Sequence, residues 1–333
     1  MSCRHCDHTL DTIFIDLGCT PPSNAYLTEV ELKKPEVKYP LKVFVCKNCW
    51  LVQTEDFAEP DELFSSNYEY FSSISDSWLK HAKHYVEKMC NKFQLNSQSY
   101  VIEVASNDGY LLKNFITLGV PCLGIEPTLK TADASEILGI PVLREFFGSD
   151  LGERLVNENK KADLVIGNNV YAHVPDINDF TLGLKKILKP NGVITLEFPH
   201  LLRLIHEKQF DTIYHEHFSY LSLHVVSRIF KNAGLKIWDI DRLPTHGGSL
   251  RIYGCHINNP RDITKSVQEV FLEEKNNGLE KLSTYQGFQT MAAQIKNNLR
   301  LYLTDQKQTG KLVAAYGAAA KGNTLLNYCG IQS

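Results

Sequence analysis

The sequence predicts an α/β protein. A doubly wound, mainly parallel sheet follows a small cysteine-rich unit and precedes a short strand–turn–helix unit. Three observations lead to this reading. From residue 99 onward, short apolar runs alternate with stretches of helical periodicity, the pattern of strands joined by crossover helices. Ahead of that region stand two Cys-x-x-Cys pairs. After it, KLVAAYGAAAKGNTLLNYCGIQS has the outline of one strand, a small-residue turn and a helix. A chain of 333 residues exceeds one comfortable core, so at least two packed units are expected.

Taken in order, residues 1–57 carry Cys3-x-x-Cys6 and Cys46-x-x-Cys49. The second pair sits in KVFVCKNCWLVQT, which reads as two short strands around a knuckle. Each pair offers two sulfurs from one tight turn, and two such turns supply the four ligands of tetrahedral zinc. Four thiolates leave no open coordination position, so the expected site is structural, holding together a segment too small to bury a core of its own. The intervening SNAYLTEVELKKPEV is expected to loop out. Residues 58–98 comprise a polar and aromatic linker and then the segment SDSWLKHAKHYVEKMCNKF. In it Trp78, Ala82, Tyr85, Val86 and Met89 recur at helical spacing and Ser or Asp is available as N-cap. Residues 99–260 hold the predicted sheet, with strands in SYVIEVAS, CLGIEP, IPVLREF, ADLVIGNN, GVITLEFP, KIWDID and SLRIYG; residues 261–333 form a C-terminal region.

Composition narrows the partners. Hydrophobic residues make up 43% and charged residues 22%, ordinary values for a soluble globular chain. A net charge of -3 gives no electrostatic case for nucleic acid. No apolar run approaches the roughly 20 residues that span a bilayer. The N-terminus MSCRHCDH lacks the basic and apolar regions of a signal peptide, and the grouping of the nine cysteines favours thiols, so a cytoplasmic protein is expected.

Ligands of doubly wound sheets bind beyond the carboxyl ends of the strands. After the first strand comes Glu103-Val104-Ala105-Ser106-Asn107-Asp108-Gly109, a turn of small residues entering a helix. It is not G-x-G-x-x-G, so a pyrophosphate-cradling dinucleotide loop is poorly supported. After the second strand stands Glu126, a carboxylate placed to accept both hydroxyls of a ribose. Asn168-Asn169-Val170-Tyr171-Ala172-His173-Val174-Pro175-Asp176 follows the fourth strand, and Glu197 and His200 close the fifth. As an ordered set these segments resemble a class I S-adenosylmethionine methyltransferase. The resemblance implies that Glu103, Ala105, Asn107, Asp108, Gly109, Glu126 and Asn168 hold S-adenosyl-L-methionine.

A narrower resemblance rests on NYEYFSS, VASNDGYLL, NNVYAHVPD, FDTIYHEHFSYLSL, HGGSLRIY and YGAAAKGNTLLN behind a four-cysteine segment. In that order they are similar to the sugar C-methyltransferases of deoxysugar biosynthesis, which methylate C3 of nucleotide-linked 4-keto sugars. The match covers nearly the whole chain, and FDTIYHEHFSY is its most specific element. Two features depart from the family: Ala105 stands where glycine is common, and the chain stops soon after GAAAKGNTLLN, where the family's third domain continues. A shortened form with a partial Rossmann-like terminal unit, leaning on neighbours or a partner subunit, is therefore expected; otherwise the chain is expected to be a monomer or a weak homo-oligomer.

Within YHEHFSY, a metal site fits poorly. In a strand Glu216 points away from His215 and His217, and on a helix the i,i+4 pairing of H-E-x-x-H is missing. The acid/base reading suits the implied chemistry, in which one group removes the C3 proton and another steadies the enolate oxygen. His217 is expected as base, Glu216 as its orienting or supporting partner and Tyr214 as a substrate or enolate donor. His173 and Tyr68 are the matching family positions on other loops, with Tyr70 a near alternative to Tyr68. For the diphosphate of the nucleotide-linked 4-keto sugar, the candidates are Lys321 with the turn Gly317–Gly322 and, more weakly, Arg251. The alternatives are a nicotinamide-dependent nucleotide-sugar oxidoreductase using Glu126 and the GAAAKG turn, and a shortened cofactor-binding protein without turnover.

Overall fold

A computed structural model describes residues 1–24, 27–55, 70–316 and 320–331. The larger sheet contains β4 (Val101–Val104), β5 (Cys122–Ile125), β6 (Val142–Leu143), β7 (Ala162–Asn168), β8 (Leu188–Pro199), β10 (Leu235–Leu243) and β11 (Ser249–His256). Its order is β10-β11-β8-β7-β4-β5-β6. The strands from β6 across to β8 run parallel, while β11 is antiparallel to both β8 and β10. All seven predicted strands are present. The central ones are buried on both faces, as apolar runs such as VIEV and LVIGN require. The chain leaves β4 toward β5 on one side and returns to β7 on the other, so the topological switch point lies between β4 and β7.

Before this sheet, β1 (Ile13–Thr20), β2 (Tyr39–Val45) and β3 (Val52–Thr54) form a smaller antiparallel sheet. Its fourth strand is β9 (Ser219–Tyr220), the end of YHEHFSY, paired to β3 through Val52 with Tyr220 and Gln53 with Ser219. The motif therefore sits at the seam of the two sheets. The helix Asp76–Phe93 starts at a Ser75 cap and buries Ala82, Tyr85, Val86 and Met89 of the predicted stripe against the larger sheet, with Trp78, its first member, partly buried.

The C-terminal region departs from expectation. It contains helices Lys265–Asn276, Leu282–Tyr285, Phe288–Gln308 and Ala320–Cys329. Residues 311–316, expected as a strand, belong to no strand or helix, with Leu312 97% exposed. Among the described residues they pair with no strand, and an isolated strand has no partners for its backbone groups. The final helix does pack on neighbours, burying Thr324, Tyr328 and Cys329 beside β1, the turn Phe210–Thr212 and helix Phe288–Gln308. Among the described residues no helix is long and apolar enough to cross a membrane.

Candidate active site

A cavity of about 730 Å³ opens at the switch point, beyond β4, β5 and β7. Ala105, Asn107, Glu126 and Asn168 line one wall, with Ile125, Phe146 and Phe147 as its apolar part. The turn after β4 is tightly wound: Ala105 has φ +57°, Asn107 +50° and Gly109 +75°. Residues 70–73 are laced across it. Ser72 N–H donates to Asn107 Oδ1 at 2.9 Å, Asn107 Nδ2 to the Tyr70 carbonyl at 3.0 Å, and Ser73 N–H to Asp108 Oδ2 at 3.0 Å. Glu126 is buried and fixed, Oε2 accepting from Asn107 N–H and Oε1 from Thr128 N–H, each at 2.9 Å.

Three members of the expected cofactor set do not line the cavity. Glu103 is buried beneath the turn, and burial, with Glu126 and Asp108 nearby, holds its carboxyl well above the usual range. Asp108 accepts from Ser73 N–H through Oδ2, while its Oδ1 is buried with no hydrogen-bond partner among the described residues. Gly109 serves packing rather than ligand approach, because a Cβ there meets Ile140 Cδ1 at 2.5 Å and Ser135 Oγ at 2.8 Å.

The remaining set fits S-adenosylmethionine. It combines a fixed carboxylate for ribose hydroxyls, an apolar wall for the base, and Asn168 Oδ1, which is buried and lacks a hydrogen-bond partner among the described residues. Glu126→Ala is expected to weaken S-adenosylhomocysteine binding by roughly 2–3 kcal/mol, the loss of hydrogen bonds to a charged acceptor, as read by calorimetry. Ala105 is strained by its left-handed conformation, so Ala105→Gly is expected to stabilise the fold by up to about 1 kcal/mol, read as a higher urea midpoint.

The opposite wall carries the acid/base candidates. Tyr214–His217 forms a turn closed by His217 N–H donating to the Tyr214 carbonyl at 3.0 Å. His217 Nδ1 lies 2.8 Å from the Thr212 carbonyl. A carbonyl only accepts, so Nδ1 carries the proton and Nε2 keeps its lone pair. The orienting role expected of Glu216 thus falls to Thr212. The Glu216 carboxylate is held elsewhere, by Asn24 Nδ2 at 2.6 and 2.9 Å.

The His217 ring lies 4.6 Å from that of His173 and 4.0 Å from that of Tyr214, centroid to centroid. His217, His173, Tyr214 and Glu216 all line the cavity. His215 does not; its Nε2 donates toward the carbonyls of Tyr39 and Pro40 at 3.3 and 3.2 Å. The two imidazoles of the motif serve different neighbours, which disposes of a shared metal. Tyr70 lines the cavity, whereas Tyr68 lies outside the described residues.

Burial sets the protonation states. It drives His217 well below 6.5, helped by His173, His246 and Lys321, and takes His173 down to about 4. It raises Glu216 to about 7 against the pull of Asn24, and raises Tyr214, which stays a neutral donor. A depressed histidine pKa means that the unfolded chain binds protons first on acidification. Stability from His217 and His173 is therefore fully present above about pH 6.5 and is lost as pH falls toward 4. Thermal melts across that window are expected to fall on the acid side.

In the N-terminal unit the Sγ atoms of Cys3, Cys6, Cys46 and Cys49 lie within 4.8 Å of one another, with Cys3–Cys49 at 3.5 Å and Cys6–Cys46 at 3.6 Å. Sulfurs about 2.3 Å from one tetrahedral ion are about 3.8 Å apart, so the cluster fits zinc. Gln53 Nε2 donates to Cys3 Sγ at 3.1 Å and Asn48 Nδ2 to Cys6 Sγ at 3.4 Å.

Lys321 lines the cavity near His217. Arg251 is no candidate for a diphosphate: it is 3% exposed, bonded to Glu197 Oε2 at 2.6 Å and laid over the Tyr85 ring. Sequence reasoning passed over Asn24, Trp78, Phe146, Phe147 and His246, all in the lining. For Phe146 and Phe147 a signal existed, since they follow a strand; Asn24 lay in a segment expected only to loop out.

A cavity at the switch point of a sheet with this strand order is the arrangement of the class I methyltransferase fold, whose members use S-adenosylmethionine. Family models agree along the chain: a zinc-binding domain matches residues 3–64, a methyltransferase domain 78–240 and a C-methyltransferase C-terminal domain 244–333. The C-methyltransferase NovU of Streptomyces niveus is 32% identical over 329 residues, covering 99% of this chain and 78% of that protein. The chain belongs to this family of zinc-containing, S-adenosylmethionine-dependent C-methyltransferases.

A ubiquinone biosynthesis O-methyltransferase of Bartonella tribocorum is 26% identical over 116 residues, 32% of this chain and 47% of that one. Among solved structures, magnesium protoporphyrin IX methyltransferase from Synechocystis, with S-adenosylhomocysteine bound, aligns with TM-score 0.43 at 14% identity, covering 54% of this chain and 83% of its own.

Proposed function

We propose that the protein methylates C3 of a nucleotide-linked 4-keto-deoxysugar by base-assisted enolisation. The observation that carries this reading is the tautomer of His217, whose Nε2 lone pair belongs to the cavity that the cofactor wall also lines. A sugar carbon becomes nucleophilic only when a neighbouring carbonyl acidifies its C–H bond, and a C4 ketone does this at C3. His217 then takes the C3 proton on Nε2. Tyr214, kept neutral by burial, donates to the developing enolate oxygen. His173, on a separate turn, packs against the base and limits its motion. When bound, S-adenosylmethionine supplies the electrophilic methyl group. Glu126 and the 105–107 turn fix that group relative to C3, and such positioning removes several kcal/mol of barrier. Lys321, at the start of the last helix, is assigned to the diphosphate.

The same reading assigns residues 1–57 to zinc, 58–98 to linker and helix, 99–260 to the cofactor and 261–333 to substrate. Mass spectrometry of nucleotide 4-keto-6-deoxysugars incubated with protein and cofactor tests it. A gain of one methylene, placed on C3 by NMR, is expected; a methyl group found on oxygen overturns it.

A further inference from the structure

We propose that Asn24 is a positioning residue that holds the Glu216 carboxylate as a fixed anionic acceptor in the cavity wall, so that the N-terminal zinc-bearing unit takes part in the catalytic centre. The inference rests on the C-methyltransferase assignment but not on the identity of the sugar. Asn24 Nδ2 reaches both Glu216 oxygens, at 2.6 and 2.9 Å, although 192 residues separate the two. Its backbone also bonds the same carboxylate. A carboxylate accepts strongly at both oxygens, whereas a neutral carboxyl turns one of them into a donor and a weaker acceptor, so this geometry favours the ionised form. Burial works in the other direction: Glu216 is 3% exposed and sits at about 7, and Asn24 is the group that opposes the burial. With Asn24 occupying part of its acceptor capacity, the carboxylate keeps lone pairs for a hydroxyl of a substrate beside His217.

The two partners are clamped from a third direction. In the last helix, Asn323 Nδ2 donates to the Ser23 carbonyl at 3.3 Å and the Thr324 hydroxyl donates to the Ile213 carbonyl at 2.8 Å. One helix thus tethers the residue before Asn24 and the residue before the Tyr214–His217 turn. Other titratable groups face the same space: Tyr214 and His217 on the turn itself, His173 on the 171–173 turn, Tyr70 beside the cofactor wall, and Lys321 on the last helix. A pH profile of activity alone would mix them, so Glu216 has to be read directly.

The experiment is a ¹³C NMR titration of the full-length zinc-loaded protein labelled at glutamate carboxyls, with Glu216 assigned by its absence in Glu216→Gln. In wild type the Glu216 signal is expected to titrate near neutrality. In Asn24→Ala the midpoint is expected to rise by about a unit or more, and turnover to fall roughly 10–100-fold, the loss of a hydrogen bond to a charged group. S-adenosylhomocysteine affinity should be unchanged. In the Glu216→Gln background, Asn24→Ala should add no further loss. If Asn24→Ala is poorly folded, Asn24→Ser serves the same comparison with a smaller rise. An unmoved Glu216 titration in a folded variant overturns the proposal, as does a full further loss in the Glu216→Gln background. The titration needs no substrate, so its outcome does not depend on the sugar assignment.

Discussion

His217→Asn is expected to lower turnover by roughly 10²–10⁴-fold, the usual consequence of losing a general base. Asparagine keeps a side-chain amide able to donate to the Thr212 carbonyl, so the turn has reason to persist. What it lacks is a basic lone pair where Nε2 stood. Cofactor affinity should remain near wild type, because the groups assigned to the cofactor, Asn107 and Glu126, bond to one another and to Thr128 rather than to His217. The wild-type rate should also depend on pH in a defined way. A base held well below 6.5 is neutral throughout the physiological range. Protonation of His217 itself should therefore cut the rate only below pH 6.5, beneath the limb that Glu216, at about 7, sets near neutrality. Stopped turnover with intact S-adenosylhomocysteine binding in the variant is the expected pattern; unaltered turnover contradicts it.

Removing zinc carries the second large effect. Binding at a four-cysteine site contributes an apparent ~10 kcal/mol or more to folding of the unit around it. Here the residues between the first two ligands reach into the larger unit. Arg4 donates to the Pro175 carbonyl at 2.8 Å and to the Thr54 carbonyl at 3.0 Å, and lies 5.3 Å above the Phe218 ring. His5 Nδ1 donates to Asn178 Oδ1 at 2.7 Å. Pro175 and Phe218 lie two residues and one residue from His173 and His217. Chelation, or the Cys46→Ser, Cys49→Ser double variant, should therefore unfold residues 1–57 and loosen both imidazole turns, abolishing turnover. The seven-stranded sheet and its cofactor wall should survive, seen as retained S-adenosylhomocysteine binding with a separate low-temperature melting step. Metal analysis should give one zinc per chain. A double variant that melts as one unchanged transition contradicts this.

What could be read in the sequence was what is local. Strands announced themselves as apolar runs because β4 and β7 are buried on both faces, and the Asp76–Phe93 helix did so through the stripe at Ala82, Tyr85, Val86 and Met89. Cys-x-x-Cys spacing carried the zinc cluster for the same reason, since each half is a single turn. Long-range partners were not legible. Nothing in the spacing of YHEHFSY indicated that His217 is oriented by Thr212 or that Glu216 is met by Asn24 from the N-terminal unit. Arg251 was the weaker candidate for the diphosphate, but β11 lies inside the sheet, between β8 and β10, where Glu197 neutralises it. Residues 311–316 have a strand's composition yet join no sheet among the described residues, which no local pattern reveals.

If His217 abstracts the C3 proton of a 4-keto sugar in this cavity, proton removal can be observed apart from methyl transfer. In deuterium oxide, with S-adenosylhomocysteine occupying the cofactor wall so that no methyl group is available, NMR of the nucleotide 4-keto-6-deoxysugar reports exchange at C3. Wild-type protein should wash deuterium into C3, and His217→Asn should not. Exchange in the variant as fast as in wild type contradicts the assignment and transfers the role of base to another group on the same wall.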